Sequence, residues 1–191
     1  VLKKYSLLCK LHHTIGKSTN APAHFHSHIS IGEEKLAPSL LDGKTTANAT
    51  DLNGVTQKIN TYQVGAAYYL IDANKDMFDL ATSQMPRSPQ GAIITLDVRN
   101  KINTDGSFQA YFFTNNNNSW ADPAAVSAHF NAGMVYDYFR SKFSRKSING
   151  EGGSIRSYVN VPDENGTSLE NALWHGDAPF LGNGGEDLRT L

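Results

Sequence analysis

Apolar and polar residues alternate along most of this chain. The pieces "TQKINTYQV", "AAYYLIDA", "AIITLDV", "FQAYFFT", "IRSYVNV" and "ENALW" read as β-strands, because β-branched and aromatic side chains fit a pleated surface. Turn residues separate them at Asn53-Gly54, Asp105-Gly106, Asn149-Gly150 and Asn165-Gly166. An antiparallel, strongly twisted sheet is the natural assembly of such pieces. The opening "VLKKYSLL" reads as one more strand. A polar, His-rich, Pro-containing passage follows from Cys9 to about Lys44 with little sustained period, and reads as a connecting segment.

One segment has a different period. Asp122 offers an N-cap carboxylate, Pro123 suits the first helical turn, and Val126, Phe130, Met134 and Tyr138 recur every fourth residue. Val135, Phe139 and Phe143 widen that stripe, so the spacing predicts a helix from Pro123 to Phe143 with an apolar face laid against the sheet. Its basic end, "RSKFSRK", complements the negative pole of the helix. The fold class expected is α+β, dominated by β structure.

Length and charge narrow the picture further. A chain of 191 residues makes one ordinary domain or two small ones and needs neither disulfide nor metal to fold. Seventeen Lys and Arg against 18 Asp and Glu imply no nucleic-acid partner and no other polyion. No apolar run approaches the roughly 20 residues of a membrane span. "VLKKYSLLCKLHH" has too short an apolar core, and no small-residue cleavage site, to read as a signal peptide. The single Cys9 excludes an internal disulfide and reads as a free thiol.

Several patterns are candidates for chemistry. In "HFHSH", His24, His26 and His28 would share one face of a strand, where imidazoles can hold a transition metal; the same spacing also suits a polar, pH-responsive linker. In "TNNNNSW", oxygens of Asn115, Asn117 and Ser119 could gather on Ca²⁺, but neutral amides bind it weakly and the stretch reads first as a turn. His129, between apolar neighbours on the helix, reads as a packed, hydrogen-bonded side chain. "ENALWHG" reads either as a core strand burying Trp174 or as an edge strand that adds an extended peptide through its free N–H and C=O groups.

Taken together, "QKINTYQVGAAYYLIDA", "DPAAVSAHFNAGMVYDYF", "IRSYVNV" and "NALWHGDAPFLGNG" resemble, in order and spacing, blocks of the thermolysin-like neutral metalloproteases, a family of secreted zinc endopeptidases. The resemblance covers Gln57 to Gly185. "VLKKY" is similar to the last strand of that family's propeptide. The resemblance therefore implies a propeptide tail and linker over 1–44, holding the maturation junction, and the amino-terminal β-rich lobe of the protease over 45–191. In that family the Gly-rich turn leads into a helix bearing H-E-x-x-H, with two zinc ligands and the Glu that activates water. No His stands immediately before a Glu anywhere in this sequence, so the fragment is expected to lack the zinc motif and to be inactive alone.

The resemblance also implies roles. Asn171 would hydrogen-bond the substrate backbone, the Ala172 carbonyl would hold the leaving amide, and Trp174 would add a backbone contact on the acyl side. Leu173 stands where the family usually has Phe, and Ser127 where an Asp is common. The implied partners are a peptide or protein substrate, the chain's own propeptide and a carboxy-terminal lobe, with zinc and calcium in the intact protein and no nucleic acid or membrane. A stand-alone peptide-binding module without catalysis is the alternative reading, and a metal carrier using "HFHSH" a third.

Overall fold

The computed structural model describes residues 42–101, 103–104, 108–163, 169, 174–175 and 188–190. Along them run β1 (Gly43–Thr50), β2 (Thr56–Val64), β3 (Ala67–Tyr69), β4 (Ile71–Asp72), β5 (Asp79–Gln84), β6 (Ser88–Gln90) and β7 (Ile93–Asp97). There follow β8 (Tyr111–Phe112), β9 (Thr114–Asn115), the helix α1 (Pro123–Phe143), β10 (Ile155–Val159), β11 (Trp174–His175) and β12 (Leu188–Thr190). The fold is α+β and strand-rich, with one helix among the described residues, as the hydropathy pattern predicts. The expected strand at 1–8 and the linker up to residue 41 lie outside the described residues.

The strands form one antiparallel sheet in the order β1-β2-β3-β9, a larger one in the order β11-β12-β10-β7-β4 with β8 also on β7, and the small hairpin β5-β6. The larger sheet is mixed, because β10 runs parallel to both β7 and β12. Parallel neighbours need a long crossover, and the chain between β7 and β10 supplies one in α1, which packs on both strands.

This crossover buries β7 on both faces. Ile94, Leu96 and Val98 enter a cluster with Tyr62, Tyr69, Ile71 and Tyr158, while Ile93 turns the other way onto Tyr136 of α1. The nearly continuous apolar run "AIITLDV" is the signature of such two-sided burial.

The helix has the predicted bounds and cap. Asp122 lies in extended conformation and one of its carboxylate oxygens accepts from the N–H groups of Ala124 (2.9 Å) and Ala125 (3.1 Å). Its other oxygen accepts from the Asn160 amide at 3.1 Å, which ties the cap to the end of β10. Ser144, with φ 54°, closes the helix in left-handed conformation.

The buried face of α1 differs from the predicted stripe. Val126 is buried and Phe130 packs beside it, but Met134, Val135, Tyr138, Phe139 and Phe143 are exposed. The face against the sheets is Ala125, Val126, His129, Gly133 and Tyr136. Small residues bring the helix close enough to the strands for polar contacts to form across the seam. A Cβ at Gly133 would sit 3.6 Å from Lys75 Nζ and 3.8 Å from Asp72 Oδ2.

His129 occupies the centre of that seam and is buried. One ring nitrogen, Nε2, lies 2.8 Å from the Asn60 carbonyl of β2, and Nδ1 lies 2.9 Å from the Thr95 hydroxyl of β7. A carbonyl only accepts, so Nε2 carries the proton and the Thr95 hydroxyl donates to Nδ1. Burial favours the neutral ring, and both nitrogens are satisfied. Around it, Asn60 donates its side-chain amide to Asp72 (3.0 Å), and Lys75 bridges Asp72 (3.8 Å) to Asp137 of the helix (2.6 Å). Burial pushes the His129 pKa below its ordinary value, more strongly than the Asn60 carbonyl and Asp72 draw it up, and Lys75 adds to the depression. Two turns on, the Tyr136 hydroxyl donates to Asp76, which also receives Arg140 Nε at 2.7 Å. Those two bonds, Tyr136 first, hold the Asp76 carboxyl below the usual range.

Two predictions follow from this packing. Gly91 has φ +67°, and a Cβ there would stand 1.9 Å from the Met77 carbonyl oxygen. Gly91→Ala is expected to destabilise the fold by more than about 2 kcal/mol, read from the midpoint of urea unfolding. His129 binds its proton less readily folded than unfolded, so its stabilisation is whole above the unfolded value near pH 6.5 and is lost as pH falls from there towards the depressed folded value. Stability should drop by up to about 1.4 kcal/mol per pH unit in that window. His129→Gln should be less stable at pH 7 and lack this slope. The buffered carboxylates Asp51, Asp76 and Asp79, all lowered from 3.8, act only at more acid pH. A wild-type slope equal to that of the variant between pH 7 and 5.5 would refute the assignment.

Candidate functional site

Of the four residues expected to hold a peptide, Asn171, Ala172 and Leu173 lie outside the described residues, as do His24, His26, His28 and Cys9. Trp174 is described in its backbone. With His175 it forms β11, antiparallel to β12 in the register Trp174↔Thr190 and His175↔Arg189. Its place follows from a relay of pairings. Ile155 of β10 aligns with Ile93 of β7 on one side and with Leu188 of β12 on the other, and β12 then carries β11. Among the described residues β11 is the last strand on that side of the sheet. An outermost strand has one row of backbone N–H and C=O groups directed away from its neighbour, the chemistry that accepts an added extended chain.

The Asn-rich loop after β9 is used for turning the chain. The Asn115 side-chain oxygen accepts from the Asn117 N–H and the Asn117 oxygen from the Ser119 N–H, both at 3.2 Å, while the Asn115 amide donates to the Ser119 carbonyl at 2.8 Å. The two amide oxygens considered for Ca²⁺ are therefore directed at N–H donors within the loop. Asn118, which the sequence reading did not single out, does most of the anchoring. It has φ 55°, accepts from the Trp120 indole (3.0 Å) and the Thr61 hydroxyl (3.0 Å), and donates to the Thr46 carbonyl (3.0 Å). The signal available in advance was the tolerance of Asn for left-handed backbone.

A second missed residue is Asp51, at the turn between β1 and β2. One carboxylate oxygen accepts from the N–H groups of Asn53 and Val55, both at 2.9 Å, and the other from the Gln57 amide at 2.9 Å. The Gln57 amide, then the Val55 N–H, hold this carboxyl below its ordinary value. The turn is pinned to α1 by the Leu52 N–H, which donates to the Ser127 hydroxyl at 2.9 Å.

A zinc site needs three or four nitrogen, sulfur or carboxylate donors gathered on one point. Among the described residues no three His, Cys, Asp or Glu side chains are so placed. His129, Asp72, Asp76 and Asp137 are each committed to the hydrogen bonds and ion pairs of the seam. Among the described residues, the donor set does not fit a catalytic zinc.

Comparison with known proteins adds the context. Residues 46–191 match the family described as thermolysin metallopeptidase, catalytic domain. The chain is 36% identical over 141 residues to bacillolysin of Bacillus amyloliquefaciens, covering 73% of this chain and 24% of that protein. It is 35% identical over 139 residues to neutral protease NprE of Bacillus pumilus, covering 73% of this chain and 41% of the relative. A zinc metalloproteinase of Listeria monocytogenes is 32% identical over 129 residues, 66% of this chain and 21% of its own length. The chain thus spans from about a quarter to two-fifths of the first two of these relatives. A match over residues 46–191, together with the identity to these relatives, means that this chain belongs to the thermolysin metallopeptidase family.

Proposed function

We propose that residues 45–191 are the amino-terminal lobe of a secreted zinc metalloendopeptidase, and that they hold an extended peptide for hydrolysis at a metal centre built by other polypeptide. The observation that carries this reading is the family match from residue 46 onward, on a chain whose described residues contain no zinc donor set. The lobe's contribution is orientation. Asn171 binds the peptide backbone, the Ala172 carbonyl receives the leaving amide, Leu173 flanks the acyl-side residue, and Trp174 adds a backbone contact on the acyl side. Fixing a peptide in extended form converts part of the binding energy into a favourable attack geometry. Residues 1–44 are the end of a propeptide and its junction. Zinc, and calcium where it binds, belong to the intact enzyme, and this chain alone is inactive.

An outermost strand without zinc donors is also what a non-catalytic peptide-binding module presents, and one set of measurements separates the readings. The chain should bind an extended, apolar decapeptide, followed by fluorescence anisotropy, and Asn171→Ala should weaken that binding by about tenfold. It should leave casein intact with or without added Zn²⁺. Peptide binding lost entirely from the wild type would remove the substrate-holding role, and zinc-dependent casein hydrolysis by the chain would remove the claim that it is inactive. Restored hydrolysis on adding the carboxy-terminal part of bacillolysin favours the enzyme lobe over the free-standing module.

A further inference from the structure

The pairings that place β11 also align a row of residues across the larger sheet. From β4 outward the register reads Ile71, Ile94, Arg156, Arg189 and His175, each the direct partner of the next. Residues opposite one another on neighbouring strands share a face of the sheet. The side on which this row lies is fixed at its inner end. Ile93 and Ile155 pack with Tyr136 of α1, and successive residues of a strand alternate between faces, so Ile94 and Arg156 belong to the face turned away from the helix. There Ile71 and Ile94 are buried in the cluster that holds Tyr69 and Tyr158, whereas Arg156 is only half-buried. The row thus passes from apolar residues at the centre of the sheet to two arginines and a histidine at its rim.

We infer that the edge of β11 takes peptides with an acidic side chain, Asp or Glu, at the residue that pairs with His175; the inference rests on the substrate-holding role proposed above and names its substrate class. Charge and register select that occupant. Neighbouring strands lie about 4.8 Å apart, so a peptide residue opposite His175 stands about 10 Å from Arg189 along the same row, a gap within the combined reach of Arg and Glu side chains. Like charges directly opposite one another oppose strand pairing, and Arg156 aligns with Arg189 in this way. A carboxylate at the rim offsets that repulsion. The cations are not a by-product of a basic chain, since 17 Lys and Arg stand against 18 Asp and Glu. An imidazole N–H donates to a carboxylate whether the ring is charged or neutral, so His175 adds a donor at neutral pH as well. The adjoining row, Thr95, Ser157, Thr190 and Trp174, lies on the opposite face and carries no charge. Successive residues of an added peptide therefore meet different chemistry, and the acidic preference belongs to alternate positions.

The test uses the whole 191-residue chain and three labelled decapeptides that differ only in one central residue, Glu, Gln or Lys, followed by fluorescence anisotropy at low and high salt. The Glu peptide should bind about fivefold more tightly than the Gln peptide at low salt, and the difference should shrink at high salt as the charges are screened. Arg189→Glu should invert the order, so that the Lys peptide binds most tightly, with far-UV circular dichroism showing the fold kept. Arg189→Gln serves if the reversed charge disrupts the rim, and should bring the Glu and Gln peptides to within about twofold of each other. Arg87→Glu, the same change at an exposed residue between β5 and β6, should keep the wild-type preference. Equal binding of the Glu and Gln peptides by the wild type overturns the inference and leaves the lobe reading standing. A Glu preference that survives both changes at Arg189 does the same. Binding of none of the three peptides overturns the substrate-holding role, and this inference with it.

Discussion

A single neutral imidazole joins the three main parts of this fold. His129 belongs to α1, its Nε2 reaches a β2 carbonyl in the four-stranded sheet, and its Nδ1 receives a β7 hydroxyl in the larger one. Burying an imidazole with either nitrogen unpaired would cost a few kcal/mol, so the bonds act together: removing Thr95 or shifting Asn60 leaves a buried polar atom without a partner. The geometry is demanding, and it is met because Ala125 and Gly133 keep the helix close to the strands. Lys75, Asp72 and Asp137 extend the same seam towards solvent, where the ion pair is of less consequence than the buried bonds.

The position of the outermost strand is a downstream result of that seam. α1 is the crossover that lets β10 lie parallel to β7, and only with β10 in place does its far side exist for β12, and the far side of β12 for β11. The Asp122 cap makes the dependence concrete. The same Asn160 amide that meets Asp122 also donates to Asp97 at 2.9 Å, so the start of the helix, the end of β7 and the end of β10 share one polar knot. A change in how the helix enters is thereby passed to the strand on which the outer edge is built.

What could be read from the sequence divides along the range of the forces involved. The helix, its cap and its end are set by neighbours within four residues, and the pattern from Asp122 to Phe143 carried them in full. The strands of β2, β7 and β10 were legible for the same reason. The buried face of α1 was not. Hydropathy weighs Phe139 and Phe143 above Ala125 and Gly133, whereas close approach to a sheet selects for small size and for the hydrogen-bonding capacity of His129. The parallel pairing of β10 was equally hidden, since it depends on a contact between strands more than fifty residues apart. Thr95, the one polar residue pointing from an apolar strand at the helix, was the available clue to both.

A strand that grips by its backbone leaves little trace of itself in a sequence, because the N–H and C=O groups that do the binding are common to all residues. The segment around Trp174 therefore announced an aromatic strand without announcing which of its sides would stay open, and family resemblance supplied roles that periodicity could not. Holding an extended chain needs a straight, exposed strand at the rim of a rigid sheet, whereas holding zinc needs side chains that converge and are shielded from competing hydrogen bonds. Among the described residues, His129, Asp72, Lys75 and Asp137 are spent on the seam between helix and sheets, and β11 stands outermost in its sheet.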